Sequence, residues 1–248
     1  MQNRYKIKNF VCVMPMAGEG MRFKKYGYST PKPLIRIDRT PMFLKATKSF
    51  PNKFKWIFVV SRKLGMKFNL KKYKMNIKKK KFLLLKKKTE GQASTVYKSL
   101  GLLNNKDIII IHSCDLYFKT NLNSIKKKLN NIDLIVFTSK PSKYHLMHEN
   151  QFSWLINKKD RFKISLKKNF KNSKKSRVVV GSFLFKNKKI LKDLLNYVFK
   201  KKMKINNEYY IDSLVQTANN LGYKLGEVTV QNYISWGSHH ELLNYNSK

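Results

Sequence analysis

The chain has 248 residues, enough for one sizeable hydrophobic core or at most two small domains. Its hydrophobic share of 42%, with 16 Phe and 13 Tyr, excludes an intrinsically disordered polypeptide. No apolar run reaches the length of a membrane span, and the N-terminus lacks the apolar core of a signal peptide. We therefore expect a folded cytoplasmic protein with no membrane partner, whose two cysteines, Cys12 and Cys114, are reduced.

The formal net charge of +41 is the most unusual feature of the composition. Of the 54 basic residues 7 are Arg, and the Lys residues are spread over the whole chain in short runs. Nucleic-acid readers depend on Arg for bidentate contacts, so we interpret the charge as a codon bias toward A and T. Weak, salt-sensitive binding to polyanions is expected, and functional nucleic-acid binding is the alternative.

Apolar, β-branched runs alternate with longer stretches of helical character, a pattern typical of an α/β sheet. Strands are predicted at Phe10–Met14, Trp56–Val60, Phe82–Leu85, Ile108–His112, Leu134–Thr138 and Val178–Phe185, with a short one at Trp154–Asn157. Helices are predicted at Met42–Ser49, Ala93–Leu103, Leu122–Leu129, Lys189–Lys200 and Tyr210–Leu221. Because no linker or repeat interrupts this pattern, we expect a single domain over residues 1–248.

The first predicted strand ends in a loop of small residues that is followed by two cations. The loop is Met16-Ala17-Gly18-Glu19-Gly20, and the cations are Arg22 and the Lys32 of a Pro-Lys-Pro. Glycine lets backbone N–H groups turn toward an anion, and Arg and Lys side chains hold phosphates. The segment is neither a dinucleotide fingerprint nor a P-loop. It predicts a nucleoside triphosphate site, with a plain strand-to-helix turn as the alternative.

Two further polar residues follow predicted strands. Asp115 comes after the most hydrophobic strand, where open α/β sheets place their ligands, and an isolated carboxylate there suits Mg²⁺. The alternative is an Asp that caps the following segment. Gln92 opens a predicted helix after Gly91, and its amide is either free to pair with a nucleobase edge or simply exposed to solvent.

Late in the chain, a glycine and two acids form a third group of candidates. Gly181 interrupts a predicted strand, where a missing side chain often marks the close approach of a ligand or backbone. Glu208 and Asp212 lie four residues apart at the start of a predicted helix. Carboxylates there either stabilise the helix dipole or accept hydrogen bonds from sugar hydroxyls.

In this order, the segments resemble the sugar-phosphate nucleotidyltransferase family, in its minimal form similar to glucose-1-phosphate thymidylyltransferase. The resemblance rests on Ala17-Gly18-Glu19-Gly20-Met21-Arg22, Pro31-Lys32-Pro33-Leu34, Gly91-Gln92-Ala93, Asp115, Gly181, Glu208 with Asp212, and Ser235-Trp236-Gly237-Ser238. It implies a Rossmann-like mixed, mostly parallel sheet flanked by helices. It also implies a nucleotide-binding half at 1–138, an acceptor-binding half at 139–248, and a monomer or homo-oligomer.

The resemblance implies a role for each matching residue. The backbone from Met16 to Gly20 and Gln92 would hold the base, and Arg22 and Lys32 would hold the triphosphate. Asp115 would hold Mg²⁺, while Gly181, Glu208 and Lys168 would face the acceptor. The reaction implied is attack by a sugar 1-phosphate on the α-phosphorus of an NTP, which gives an NDP-sugar and pyrophosphate. The NDP-sugar would serve the synthesis of a surface polysaccharide such as capsule or lipopolysaccharide.

The chain also departs from the family pattern. Ser235 stands where many members have a second metal carboxylate, so Asp115 and phosphates alone would hold the metal, and Lys168 stands without the Glu that usually precedes it. Two alternatives therefore remain: a cytidylyltransferase acting on a non-sugar phosphate such as phosphocholine, and a nucleotide-binding protein without catalysis.

Overall fold

The computed structural model of the chain describes residues 9–68, 73, 75–158, 161–166 and 176–247. The strands among them are β1 (Phe10–Met16), β2 (Arg36–Ile37), β3 (Thr40–Pro41), β4 (Lys55–Ser61), β5 (Lys79–Leu85), β6 (Ile108–His112), β7 (Leu116–Lys119), β8 (Leu134–Ser139), β9 (Ser153–Lys158), β10 (Arg161–Leu166), β11 (Ser176–Phe185), β12 (Leu225–Thr229) and β13 (Gln231–Ser235). The α-helices are α1 (Met21–Lys24), α2 (Met42–Thr47), α3 (Arg62–Phe68), α4 (Gln92–Tyr97), α5 (Leu122–Lys128), α6 (Lys143–Met147), α7 (Lys188–Lys200), α8 (Asp212–Ala218) and α9 (His239–Asn246).

The main sheet is mixed, and four neighbouring strands of it are parallel. Its path runs β10-β9-β11-β6-β1-β4-β5, with β8 beside β11 and β12 beside β8. Strands β6, β1, β4 and β5 pair in parallel, so their carboxyl ends meet at one edge of the sheet. Strand β11 joins β6 in antiparallel orientation and connects the two predicted halves. The predicted α/β fold with a mixed sheet is confirmed.

Helices cover both faces of this sheet, which explains why its central strands are apolar throughout. Every residue of β1 is buried, because alternate side chains enter two different cores. Cys12 and Met14 pack with Phe58 and α2 on one face, whereas Val11 and Val13 pack with α4, α7 and α8 on the other. A third, smaller core packs Ile35 and Ile37, which follow Lys32, with Leu242 of the C-terminal helix α9.

The predicted strands are confirmed to within three residues at either end, but two predicted helices are shorter than expected. The helix predicted over Ala93–Leu103 ends at Tyr97, and a 3₁₀ turn follows at Leu100–Leu102. The Ser99 hydroxyl donates a hydrogen bond to the Val96 carbonyl oxygen at 2.7 Å, which competes with continuation of the helix.

The helix predicted over Tyr210–Leu221 begins only at Asp212 and passes into a 3₁₀ turn after Ala218. Its start is delayed because both backbone groups of Tyr209 bond to another segment, the N–H to Glu90 O at 2.8 Å and the carbonyl oxygen to Ala93 N at 3.0 Å. The expectation that Glu208 lies at a helix start is therefore wrong, and Glu208 belongs to the preceding loop. Asp212 does lie in the first helical turn.

Both cysteines are free thiols and buried, as expected. Across the described residues, we find no helix with the length and apolarity needed to cross a bilayer.

A buried histidine makes the stability of this fold depend on pH. His112 at the end of β6 bonds Ser182 Oγ at 2.5 Å and the Ala46 carbonyl oxygen at 3.1 Å. Burial lowers the pKa of His112 to about 4. Its pKa in the unfolded chain is about 6.5, so between these two pH values the ring is neutral in the native state and protonated in the unfolded state.

We therefore expect the free energy of unfolding to fall as the pH drops from about 6.5 toward 4, by up to about 1.4 kcal/mol per pH unit from His112. Urea unfolding of the wild type and of His112→Asn over this range measures the effect. The variant should show a shallower slope, whereas His240→Asn, at an exposed histidine, should keep the wild-type slope. An unchanged slope in His112→Asn would contradict this assignment.

Candidate active site

A cleft of about 420 Å³ opens at the carboxyl ends of the parallel strands β1, β5 and β6. This is the edge where open α/β sheets bind ligands, because the connecting loops converge there. Ten of the residues singled out from the sequence line it: Met16, Ala17, Gly18, Glu19, Gly20, Arg22, Lys32, Gln92, Asp115 and Glu208. The structure therefore brings both predicted substrate sides to one cleft.

The glycine loop after β1 is held against the Pro-Lys-Pro segment. Gly20 has a φ of +67°, and a Cβ atom there would lie 3.0 Å from Lys32 Cβ. Only glycine combines that conformation with that close approach at little cost. Ala17 is buried, whereas Gly18 and Glu19 are exposed, so the tip of the loop is open to a ligand.

Lys32 and Asp115 form an ion pair at the floor of the cleft. Lys32 Nζ lies 2.5 Å from Asp115 Oδ2 and 3.2 Å from the Gly237 carbonyl oxygen. Both side chains are only about one fifth exposed, at 19% and 21%. Burial by itself would raise the pKa of Asp115, but the Lys32 ammonium outweighs it and brings the pKa below its usual value.

Asp115 does not cap a helix. It lies between β6 and β7, and the segment that follows it is a strand. The capping alternative is therefore wrong, and the carboxylate faces the cleft.

Arg22 is an exposed cation of the cleft. It lies on the short helix α1, directly after the glycine loop, and no ion pair between described residues involves it. Its charge, after the larger effect of Lys32, also helps to lower the pKa of Asp115. A guanidinium placed in this way is available to an incoming anion.

Glu19 at the tip of the glycine loop pairs with a lysine across the cleft. The distance from Lys88 Nζ to Glu19 Oε1 is 3.2 Å, and the hydrogen bond from Lys88 lowers the pKa of Glu19. Both side chains are largely exposed, so the pair contributes little to stability. It does join the loops after β1 and β5 at the cleft entrance.

Gln92 and Glu208 are connected through the backbone. Gly91 has a φ of +103°, and a Cβ atom there would lie 2.6 Å from the Tyr209 carbonyl oxygen. Because Gly91 has no side chain, Tyr209 can approach closely enough to form two backbone hydrogen bonds, one with Glu90 and one with Ala93. Gln92 Nε2 reaches Ser113 Oγ at 3.4 Å, across the floor of the cleft.

Tyr210 is a cleft residue that the sequence reasoning missed. Burial, followed by the Glu208 charge and a hydrogen bond to Glu208, raises its pKa to about 12. No sequence motif indicates Tyr210, which is half-buried beside the buried Tyr209. Thr95, Ser113, Lys88 and Asn206 line the cleft as well.

Gly181 supports the cleft from behind. It lies in a bulge of β11 with a φ of +77°, and a Cβ atom there would lie 3.2 Å from Ser113 Oγ. The predicted close approach is therefore to the loop before Asp115, and a role of Gly181 toward an acceptor stays a prediction. Lys168 lies outside the described residues.

The described residues do not bring three His, Cys, Asp or Glu side chains together as a ready metal site. Mg²⁺ needs only one or two carboxylates when phosphate oxygens and water complete its shell. Asp115 meets that need, and Ser235 lies beside it, because β13 pairs with β7 so that Ser235 is opposite Leu116. The donor set fits a magnesium ion bound together with phosphates.

Comparison with known proteins shows the fold. No family model matches the chain, and no curated protein matches it significantly. Among solved structures, a nucleoside-diphosphate-sugar pyrophosphorylase from Vibrio cholerae RC9 is similar with a TM-score of 0.79 and 18% identity, covering 96% of this chain and all of that one. A UDP-glucose pyrophosphorylase complexed with UDP-glucose has a TM-score of 0.75 at 15% identity, covering 96% and 97%. The inositol-1-phosphate CTP transferase from T. maritima has 0.67 at 17%, covering 96% and 94%.

The chain therefore has the fold of the nucleotidyltransferases that the sequence pattern resembles. At these identities the likeness establishes the architecture, and the chemistry of the site rests on the residues described above.

The Gly91 contact predicts a specific sensitivity. Gly91→Ala should lower the free energy of unfolding by at least about 1 kcal/mol, because it forces a strained φ and a clash with Tyr209. Gly101→Ala is the matched control, since nothing lies within 4 Å of a Cβ there. Urea unfolding compares the two, and equal stability of both variants would show that the Gly91 conformation is not required.

Proposed function

We propose that the protein is a nucleotidyltransferase that joins the NMP part of an NTP to a phosphorylated small molecule, a sugar 1-phosphate above all, and releases pyrophosphate. The observation that carries the proposal is the meeting of Arg22, Lys32 and Asp115 with the glycine loop in one cleft. The fold of the similar pyrophosphorylases supports it.

The triphosphate side has the charges that a polyanion needs. Arg22 offers an exposed fork of donors, the glycine loop offers backbone N–H groups, and Lys32 offers a compact ammonium. In the free protein Lys32 is held on Asp115. An incoming triphosphate competes for that ammonium, so binding of the nucleotide would free the carboxylate oxygen of Asp115 at the place where a metal is needed.

When bound, Mg²⁺ would neutralise charge on the phosphates, and Asp115 is the residue that would hold it. The chain itself has little covalent chemistry to perform. Its residues bring two anions together and stabilise the charge on the transferring phosphoryl group, which Arg22 and Lys32 are placed to do.

Glu208 and Tyr210 support placing the acceptor on the opposite wall of the cleft. The Glu208 carboxylate accepts hydrogen bonds and the Tyr210 hydroxyl both donates and accepts them, so the two can bond a polyhydroxylated molecule. Gln92 lines the same cleft, and its amide would pair with a nucleobase edge.

The decisive experiment is a pyrophosphate-release assay with each NTP against sugar 1-phosphates, inositol 1-phosphate and phosphocholine, with Mg²⁺ present. We expect release with one NTP and a restricted set of acceptors. Release only with phosphocholine-type acceptors would indicate the non-sugar cytidylyltransferase. NTP binding by thermal shift without release from any pair would overturn the proposed catalysis.

Arg22→Ala and Asp115→Asn should each lower kcat/KM by about a hundredfold or more, because each removes a charge that acts on the reacting phosphates. The matched control is Lys25→Ala, an exposed cation three residues after Arg22 that does not line the cleft. Its kcat/KM should stay near the wild-type value. Wild-type turnover in either cleft variant would contradict the assigned roles.

A further inference from the structure

A second cavity borders the glycine loop next to the cleft. It has a volume of about 460 Å³ and shares residues 17–20, Lys32 and Lys88 with the cleft. Its other walls come from the ends of β4 and β5 and from the loop that precedes Lys32. Arg22 and Asp115, which act on the reacting phosphates in the proposed reaction, do not line it.

Basic side chains are concentrated around this second cavity. Seven of its eighteen lining residues are Lys or Arg, whereas the whole chain has 54 in 248 residues. A codon bias that spreads lysines over the chain does not by itself gather them around one concave surface. We call this space the lysine cavity, and its cations are Lys24, Lys32, Arg62, Lys63, Lys86, Lys87 and Lys88.

Most of these cations have no acidic partner. Among the lining residues Glu19 is the only acid, and it pairs with Lys88, while Lys32 pairs with Asp115. Like charges held this close repel each other, so an anion bound among them would be stabilised. The cations that form no ion pair within the described part of the chain are Lys24, Arg62, Lys63, Lys86 and Lys87.

The Glu19 carboxylate marks where an anion is held. Lys88 Nζ lies 3.2 Å from Glu19 Oε1, and the hydrogen bond and charge of Lys88 lower the pKa of Glu19 most. The charges of Lys24 and Lys63 lower it further. Cations from α1, α3 and the loop after β5 therefore act on one carboxylate, which an external anion of higher charge could displace.

The other lining residues favour phosphate groups over a nucleobase. Lysine ammoniums are point charges that bind phosphate oxygens, and the exposed Ser29 and Thr30 add neutral hydroxyl donors. The one aromatic residue of the lining, Tyr28, packs edge to face against Phe23 and bonds His239 Nδ1 at 3.2 Å. The chemistry of the lysine cavity is thus that of a site for a compact polyanion.

We propose that the lysine cavity is a second anion-binding site, which takes an inorganic oligophosphate and releases Lys88 from Glu19. Because the Glu19–Lys88 pair joins the loops after β1 and β5, occupancy of this site separates two loops at the cleft entrance. The inference goes beyond the proposed function, since the anion binds here without any nucleotide or transfer.

The probe is tripolyphosphate, titrated by calorimetry without nucleotide or divalent metal at physiological ionic strength, where weak charge-driven binding is screened. All proteins carry Arg22→Ala, which removes the phosphate-binding cation of the cleft. We expect the added change Lys63→Ala/Lys86→Ala/Lys87→Ala to weaken binding by about tenfold or more. Lys126→Ala/Lys127→Ala/Lys128→Ala removes the same charge from exposed positions on α5, and should leave the affinity unchanged.

Glu19 provides a test of opposite sign. Glu19→Gln removes the internal competitor, so tripolyphosphate should bind about threefold more tightly. Asp193→Asn raises the net charge equally from α7, outside the lysine cavity, and should not change the affinity.

Equal affinities in the two triple-lysine variants would show that binding follows net charge alone and would overturn the inference. An unchanged affinity in Glu19→Gln, or no binding in the Arg22→Ala protein, would also overturn it. Circular dichroism checks that each variant folds. Because no turnover is measured, failure here leaves the proposed reaction standing, and a negative pyrophosphate-release assay leaves this site standing.

Discussion

The ion pair between Lys32 and Asp115 is the contact around which the cleft is organised. It joins the segment after the glycine loop to the end of the central strand β6, and the same ammonium bonds the Gly237 carbonyl oxygen near the C-terminus. Because both side chains are mostly buried, the pair is less screened than a surface ion pair. Loss of either partner would leave a charge in a place that water reaches poorly.

The net charge of +41 does not indicate where the site lies, whereas the positions of the few acidic residues do. Of the 13 acidic residues in the chain, Glu19, Asp115 and Glu208 line one cleft. Glu19 pairs with Lys88, Asp115 pairs with Lys32, and Glu208 bonds Tyr210, so each of these carboxylates has a specific partner.

Much of the fold was readable from the sequence, because buried parallel strands are continuous apolar runs. Strand β6 was predicted with its correct bounds, and the glycine loop and Lys32 were found because their chemistry is local. Strands β12 and β13 were missed, since their mixed composition makes sense only beside β8 and β7. Tyr210 was missed because its position in the cleft depends on the bonds of the Tyr209 backbone to Glu90 and Ala93, which lie far away in the sequence.

The contact between Gly91 and Tyr209 has a consequence for how such a cleft can change over time. Gln92 and Glu208 are kept at a fixed separation by bonds between main-chain atoms, in which no side chain takes part. The side chains of Glu208 and Tyr210 can therefore be exchanged while the backbone spacing at this part of the cleft is retained. The spacing of this cleft wall is inherited with the backbone, whereas the side chains that face a ligand can change around it.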